Sequence, residues 1–111
     1  MNTTTFRPQQ DQPFETVAPG VHFSFLRRHG GGGGGMTVLV RMEKGARARR
    51  HDHPGGEETY LVSGKLRVGE RVLSPGDYLW TAPGESHDGY AEEESVFFVV
   101  LPGGLDVTEA R

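Results

Sequence analysis

The chain has 111 residues, enough for one domain around one core and too few for two. It contains no cysteine, which excludes disulfides, thiolate metal sites and a cysteine nucleophile. A net charge of −3 gives no basis for nucleic-acid binding, and no apolar run approaches the length of a membrane span.

The N-terminal stretch MNTTTFRPQQDQPF lacks the apolar centre of a signal peptide, so a cytoplasmic protein is expected. Residues 1–13 are polar, carry Pro8 and Pro13, and read as an arm or an edge segment. From Val17 onward the chain is a series of short β-type runs broken by turns. Val21–Arg28 is the first clear predicted strand, and residues 36–43 the second, rich in β-branched side chains. Between them lie His29 and six consecutive glycines, residues 30–35, most simply a hairpin loop. A phosphate-cradling loop would need a following helix or a closing Lys-Ser/Thr, and the sequence has neither. Lys44-Gly45 turns the chain into a strand over residues 47–53. Residues 58–63 and 65–68 read as strands about Gly64. Gly69-Glu70 has the composition of a two-residue type II′ hairpin leading back into Arg71–Leu73. Ser74-Pro75-Gly76-Asp77 is a further turn. Strands over Tyr78–Thr81, 86–90 and 96–101 complete the set. The last, VFFVVL, is apolar on both faces and reads as a core strand or one covered by a partner. Glu92, Glu93 and Glu94 before it and Pro102 after it act as gatekeepers. No stretch has the pattern of an amphipathic helix. Many short strands with Gly/Pro turns predict an all-β antiparallel sandwich or barrel.

The chemistry is concentrated in GARARRHDHPGGEETYLVSG. His51 and His53 are two residues apart, so on a strand both point to one face. Pro54-Gly55-Gly56 then leads to Glu57, and His87 follows a Pro-Gly turn further on. Three imidazoles and a carboxylate suit one divalent transition metal: Fe, Mn, Ni, Cu or Zn. Arg47 and Arg49 share parity with His51 and His53. On a straight strand Arg49 would stand beside the metal and hold a carboxylate or enolate substrate bidentately. The competing reading of RARR is a solvated basic stretch at the domain edge. Tyr60 and Val62 point away from Glu57, to a face exposed unless another strand or subunit covers it. Trp80, Phe97 and Phe98 read as core or interface aromatics. His22 and His29 read as lying outside the site.

Two motifs carry a family resemblance. Gly45, His51, His53, Glu57 and Gly64 match the first cupin motif throughout, and Gly76, Gly84 and His87 match the second. Ala82 stands where the second motif has its first proline, with Pro83 beside it, and the expected asparagine is missing. The chain therefore resembles a cupin, a double-stranded β-helix or jelly-roll barrel. The resemblance spans residues 14–104 of one domain, 1–111, with 105–111 as a C-terminal tail. Within cupins it is most similar to the cupin domain of ChrR-type anti-sigma factors and to related non-haem iron dioxygenases. The resemblance implies His51, His53, Glu57 and His87 as metal ligands, the spacing to Gly64 favouring Glu57 over Glu58. It implies a homodimer, and a small-molecule ligand or substrate. Two activities fit. One is a metal-dependent, dioxygenase-like enzyme on a small enolisable or phenolic compound. The other is a non-catalytic metal- or ligand-binding sensor or regulatory module. ChrR proteins grip their sigma factor with a separate zinc-binding helical domain; the sequence shows no such segment, so an anti-sigma role is not expected.

Overall fold

The computed structural model describes residues 3–30 and 33–104. The predicted tail, 105–111, and two glycines of the 30–35 run lie outside the described residues. Among the described residues eight strands form: β1 Glu15–Ala18, β2 Val21–Arg28, β3 Met36–Met42, β4 Arg47–His51, β5 Glu57–Val68, β6 Arg71–Leu73, β7 Tyr78–Thr81 and β8 His87–Leu101. Among the described residues the one helical piece is a 3₁₀ turn at Gln9–Asp11, and no helix is long and apolar enough to cross a membrane.

All pairings are antiparallel, in the order β1-β2-β3-β8-β5-β6, with β4 added on β8 and β7 on β5. Two long strands organise the barrel. The first half of β5 pairs with β7 and with the second half of β8, which also carries β3. The second half of β5 pairs with β6 and with the first half of β8, which also carries β4. Both strands therefore serve two layers, and the layers close on one core that includes Val38, Val40, Met42, Leu61, Leu66 and Val99. This is the all-β jelly roll expected from the sequence.

The sequence divides β5 at Gly64 and β8 at the acidic run; the structure keeps both continuous. At the bend the register slips between Leu61 and Leu66. Gly64 sits there at φ +98°, and a Cβ on it would lie 2.2 Å from the carbonyl oxygen of Glu94. Only glycine combines that conformation with that approach. Opposite charges neutralise the acidic run: Glu94 pairs with Arg41 at 3.1 Å and Glu92 with Lys65 at 3.5 Å. Ser95, fully buried, ties the bend from both sides. Its Oγ accepts from the Lys65 N–H at 3.1 Å and donates to the Glu93 carbonyl at 2.8 Å. Ser95→Ala should cost about 1–3 kcal/mol, because it strands two backbone groups at a dry corner. Urea denaturation will show this as a lower midpoint with an unchanged slope.

The sequence does not announce β1. Its residues, ETVA, are too polar to read as a strand, and they form a short edge on β2. The arm before it is tied to β2 by Arg7, whose Nε donates to the Leu26 carbonyl at 2.7 Å. In β8, Phe97, Val99 and Leu101 face inward and Phe98 outward. Phe98 then joins Tyr60, Val62, Tyr78 and Trp80 on an exposed outer face.

Candidate metal centre

The metal-ligand candidates come from three places in the chain. His51 ends β4, His53 lies in the turn that follows, and Glu57 opens β5. His87 opens β8 and is the direct cross-strand partner of His51. That register brings together side chains 36 residues apart. The ligating nitrogens of His51, His53 and His87 all lie within 4.8 Å of one another. Glu57 faces two of them: Oε2 is 3.4 Å from His53 Nε2, and Oε1 is 3.4 Å from His87 Nε2. Such separations are long for hydrogen bonds. They match two ligand atoms each about 2.1 Å from a shared ion.

The state of the polar atoms supports the same fit. His53 is fully buried, and neither of its ring nitrogens has a hydrogen-bond partner. A buried imidazole left in this state is costly, and a metal ion removes the cost. Burial lowers the His53 pKa to about 4, opposed by the nearby Glu57 carboxylate and assisted by His51 and His87. His53 is therefore neutral near pH 7, as a ligand must be. His51 Nδ1 is bonded to the Arg49 carbonyl. A carbonyl only accepts, so the proton is on Nδ1 and the Nε2 lone pair is left for coordination.

Glu58 stands apart from the histidines. It lies on the outer face, where its Oε1 accepts a hydrogen bond from the Tyr78 hydroxyl at 2.9 Å. That bond raises the Tyr78 pKa. His22 bridges Thr16 and Glu43 at 2.9 and 2.7 Å, and His29 meets Thr37 at 2.8 Å; both lie outside the cluster.

The strand β4 does not run straight. A register shift falls between Ala48 and His51. As a result Ala48, opposite Gly89, shares the inner face of His51 and His87. Arg47 stays at the exposed rim of the large cavity, its guanidinium 4.8 Å above the Tyr90 ring. Arg49 still lines the mouth of the large cavity beside the histidines.

That cavity, about 710 Å³, is bounded at one place by His51 and Glu57 and elsewhere mainly by apolar side chains of β2, β3 and β8. Phe97 is one of them, so it lines a ligand-sized space as well as the core. Phe97 and Phe23 are wall residues that the sequence reading does not place there. The signal is their parity with Val99 and Val21. Trp80 has a role the sequence does not suggest. Its indole covers Gly56, where a Cβ would meet Trp80 at 2.3 Å, and so presses on the turn between His53 and Glu57.

A small antiparallel β-barrel with three imidazoles and one carboxylate converging at the ends of its strands defines a cupin. A family profile described as the ChrR cupin-like domain matches residues 3–106, and the chain belongs to that family. A comparison with curated protein sequences returns no match. Among solved structures, the acetylacetone dioxygenase of Acinetobacter johnsonii superposes with a TM-score of 0.85 at 18% identity, over 96% of this chain and 78% of its own. KdgF from Halomonas sp. superposes with a TM-score of 0.74 at 25% identity, over 88% of this chain and 94% of its own. The anti-sigma ChrR of Rhodobacter sphaeroides, seen in complex with SigE, gives 0.74 at 22% identity, over 86% of this chain but 51% of its own.

Proposed function

We propose that His51, His53, Glu57 and His87 hold one divalent transition metal ion, and that the loaded centre acts as a dioxygenase-like catalyst on an enolisable or phenolic compound. The observation that carries this reading is the buried, unpartnered His53 ring, with its Nε2 and that of His87 each 3.4 Å from a Glu57 oxygen. When bound, such an ion would supply Lewis-acid and dioxygen chemistry at this end of the barrel. The chain supplies the rest. The Arg49 carbonyl holds His51 in the ligating tautomer, and the apolar walls exclude water. Arg49 at the mouth would anchor an anionic oxygen. The likeness to an acetylacetone dioxygenase supports the reaction class.

The second reading is a non-catalytic metal- or ligand-binding sensor module. It is favoured by the cavity lining, whose ionisable groups are Arg47, Arg49 and the two candidate ligands His51 and Glu57; no separate acid or base stands among them. Membership of the ChrR cupin-like family also supports it. In either case a cytoplasmic homodimer is the assembly we expect. A second copy would cover the outer face of Tyr60, Val62, Tyr78, Trp80 and Phe98, each at least a third exposed.

Elemental analysis of protein purified without chelator should find about one transition-metal equivalent per chain. Below about a tenth of an equivalent, with no uptake of added Fe(II), Ni(II) or Zn(II), the metal reading falls. Trp80, the single tryptophan, gives an optical readout of uptake at the neighbouring turn. Dioxygen uptake by the iron-loaded protein on a panel of diketones and phenols separates enzyme from binding module.

A further inference from the structure

The cavity beside the centre is larger than a small diketone or phenol needs. Its volume of about 710 Å³ lies within the range of sites that enclose drug-sized ligands. Phe23, Val38, Val40, Phe97, Val99 and Leu101 form its walls. The charged and titratable groups sit elsewhere: His51 and Glu57 at the centre, Arg47 and Arg49 at the exposed mouth. Water against such walls has too few polar partners to be held well, so an apolar body that replaces it gains affinity.

The way past the centre is closed to bulk. A second space shares Met42, Ala48, His51, Glu57 and Phe97 with the first, but measures only about 50 Å³, room for one or two waters. A ligand with its head at His51 and Glu57 must leave its body on the Phe23 side.

We infer that this cavity takes an amphiphilic ligand. It has an alkyl or aryl body on the order of ten to twenty non-hydrogen atoms, lying along the Phe23–Val40–Leu101 wall. It ends in one anionic oxygen head, a carboxylate or an enolate, at the metal centre. The head assignment rests on the metal reading above; the body rests on the cavity alone.

Straight-chain carboxylates from butanoate to dodecanoate, titrated calorimetrically into nickel-loaded and metal-free protein, test both parts. With nickel bound, Kd should fall about two- to fourfold per added methylene until the cavity is filled. Without metal the same chain-length factor should persist, with every member about tenfold or more weaker for loss of the charged head contact. Val40→Phe, which fills the wall, should flatten the gain for the longer chains while nickel stoichiometry stays at one. Should that variant fold poorly, displacement of 1-anilinonaphthalene-8-sulfonate from the native protein by the same series gives the chain-length factor directly. A Kd independent of chain length in protein that holds one nickel overturns the apolar-body inference and leaves the metal reading standing. A gain that survives in folded Val40→Phe places the chain elsewhere and overturns it too. A chain-length gain in protein that takes up no metal keeps the body and removes the head.

Discussion

His53→Leu should abolish tight metal binding and, in the presence of chelator, make the protein more stable than the native chain. The two effects have one cause. The imidazole is fully buried with both ring nitrogens unpartnered, so the metal-free protein carries its desolvation cost without return. Leucine has a similar volume and no polar atom. Replacing a buried unsatisfied group in this way gains about 1–3 kcal/mol. The loss in metal affinity is larger. Dividing the roughly 10–16 kcal/mol of a four-ligand structural zinc site equally gives about 2.5–4 kcal/mol per ligand, or on the order of a hundredfold in Kd. At a free metal concentration of about a hundred times Kd, the native protein gains about 2.7 kcal/mol by linkage, and the variant gains almost none. Urea denaturation of both proteins, with chelator and with nickel, should therefore show nickel removing most or all of the variant's advantage. His22→Leu is the control. His22 is held by Thr16 and Glu43 outside the cluster, so its loss should leave metal affinity unchanged. Unchanged nickel affinity in His53→Leu, or destabilisation of the metal-free protein, would remove His53 from the centre.

Much of this centre was legible in the sequence, because its inner half is local. His51, His53 and Glu57 lie within seven residues, and strand parity with one tight turn brings them to one place. His87 was legible only through the family motif; what delivers it is the β4–β8 register, a tertiary fact. Of the two glutamates the sequence offers, Glu57 faces two of the histidines and Glu58 a tyrosine hydroxyl. Straightness failed in β4. One extra residue between Ala48 and His51 brings Ala48 to the inner face beside His51, and no residue in RARR signals it. The barrel was legible from its turns, but not its two continuous long strands. Gly64 and the three glutamates look like breaks until the cross-strand partners Ser95, Arg41 and Lys65 are in place. The cavity was the least legible feature. Its walls are ordinary strand residues, and only their convergence from β2, β3 and β8 makes a site.

The metal-free protein should lose stability as the pH falls from about 6.5 to about 4, by roughly 2–3 kcal/mol from His53 alone. The sign follows from the direction in which the pKa moves. Burial, the main cause, lowers the folded-state pKa of His53 from 6.5 to about 4. Above pH 6.5 the ring is neutral in both states, and the group contributes no pH dependence. Between 6.5 and 4 the unfolded chain takes up a proton that the folded chain refuses, so unfolding becomes easier with each step down in pH. Below about 4 both states are protonated and this contribution levels off. A tenfold difference in proton affinity between the two states corresponds to about 1.4 kcal/mol. The fully buried ring leaves little solvent screening to reduce that figure. Urea midpoints measured with chelator at half-unit pH steps will show the slope. In His53→Leu the His53 share of that slope should vanish. In nickel-loaded protein the fall should be steeper and should coincide with metal release, because protons then compete with the ion for three imidazoles. A metal-free native protein whose stability stays level across this window would mean that His53 reaches solvent and protonates in place. The unpartnered buried ring could then no longer be the reason a metal is held there.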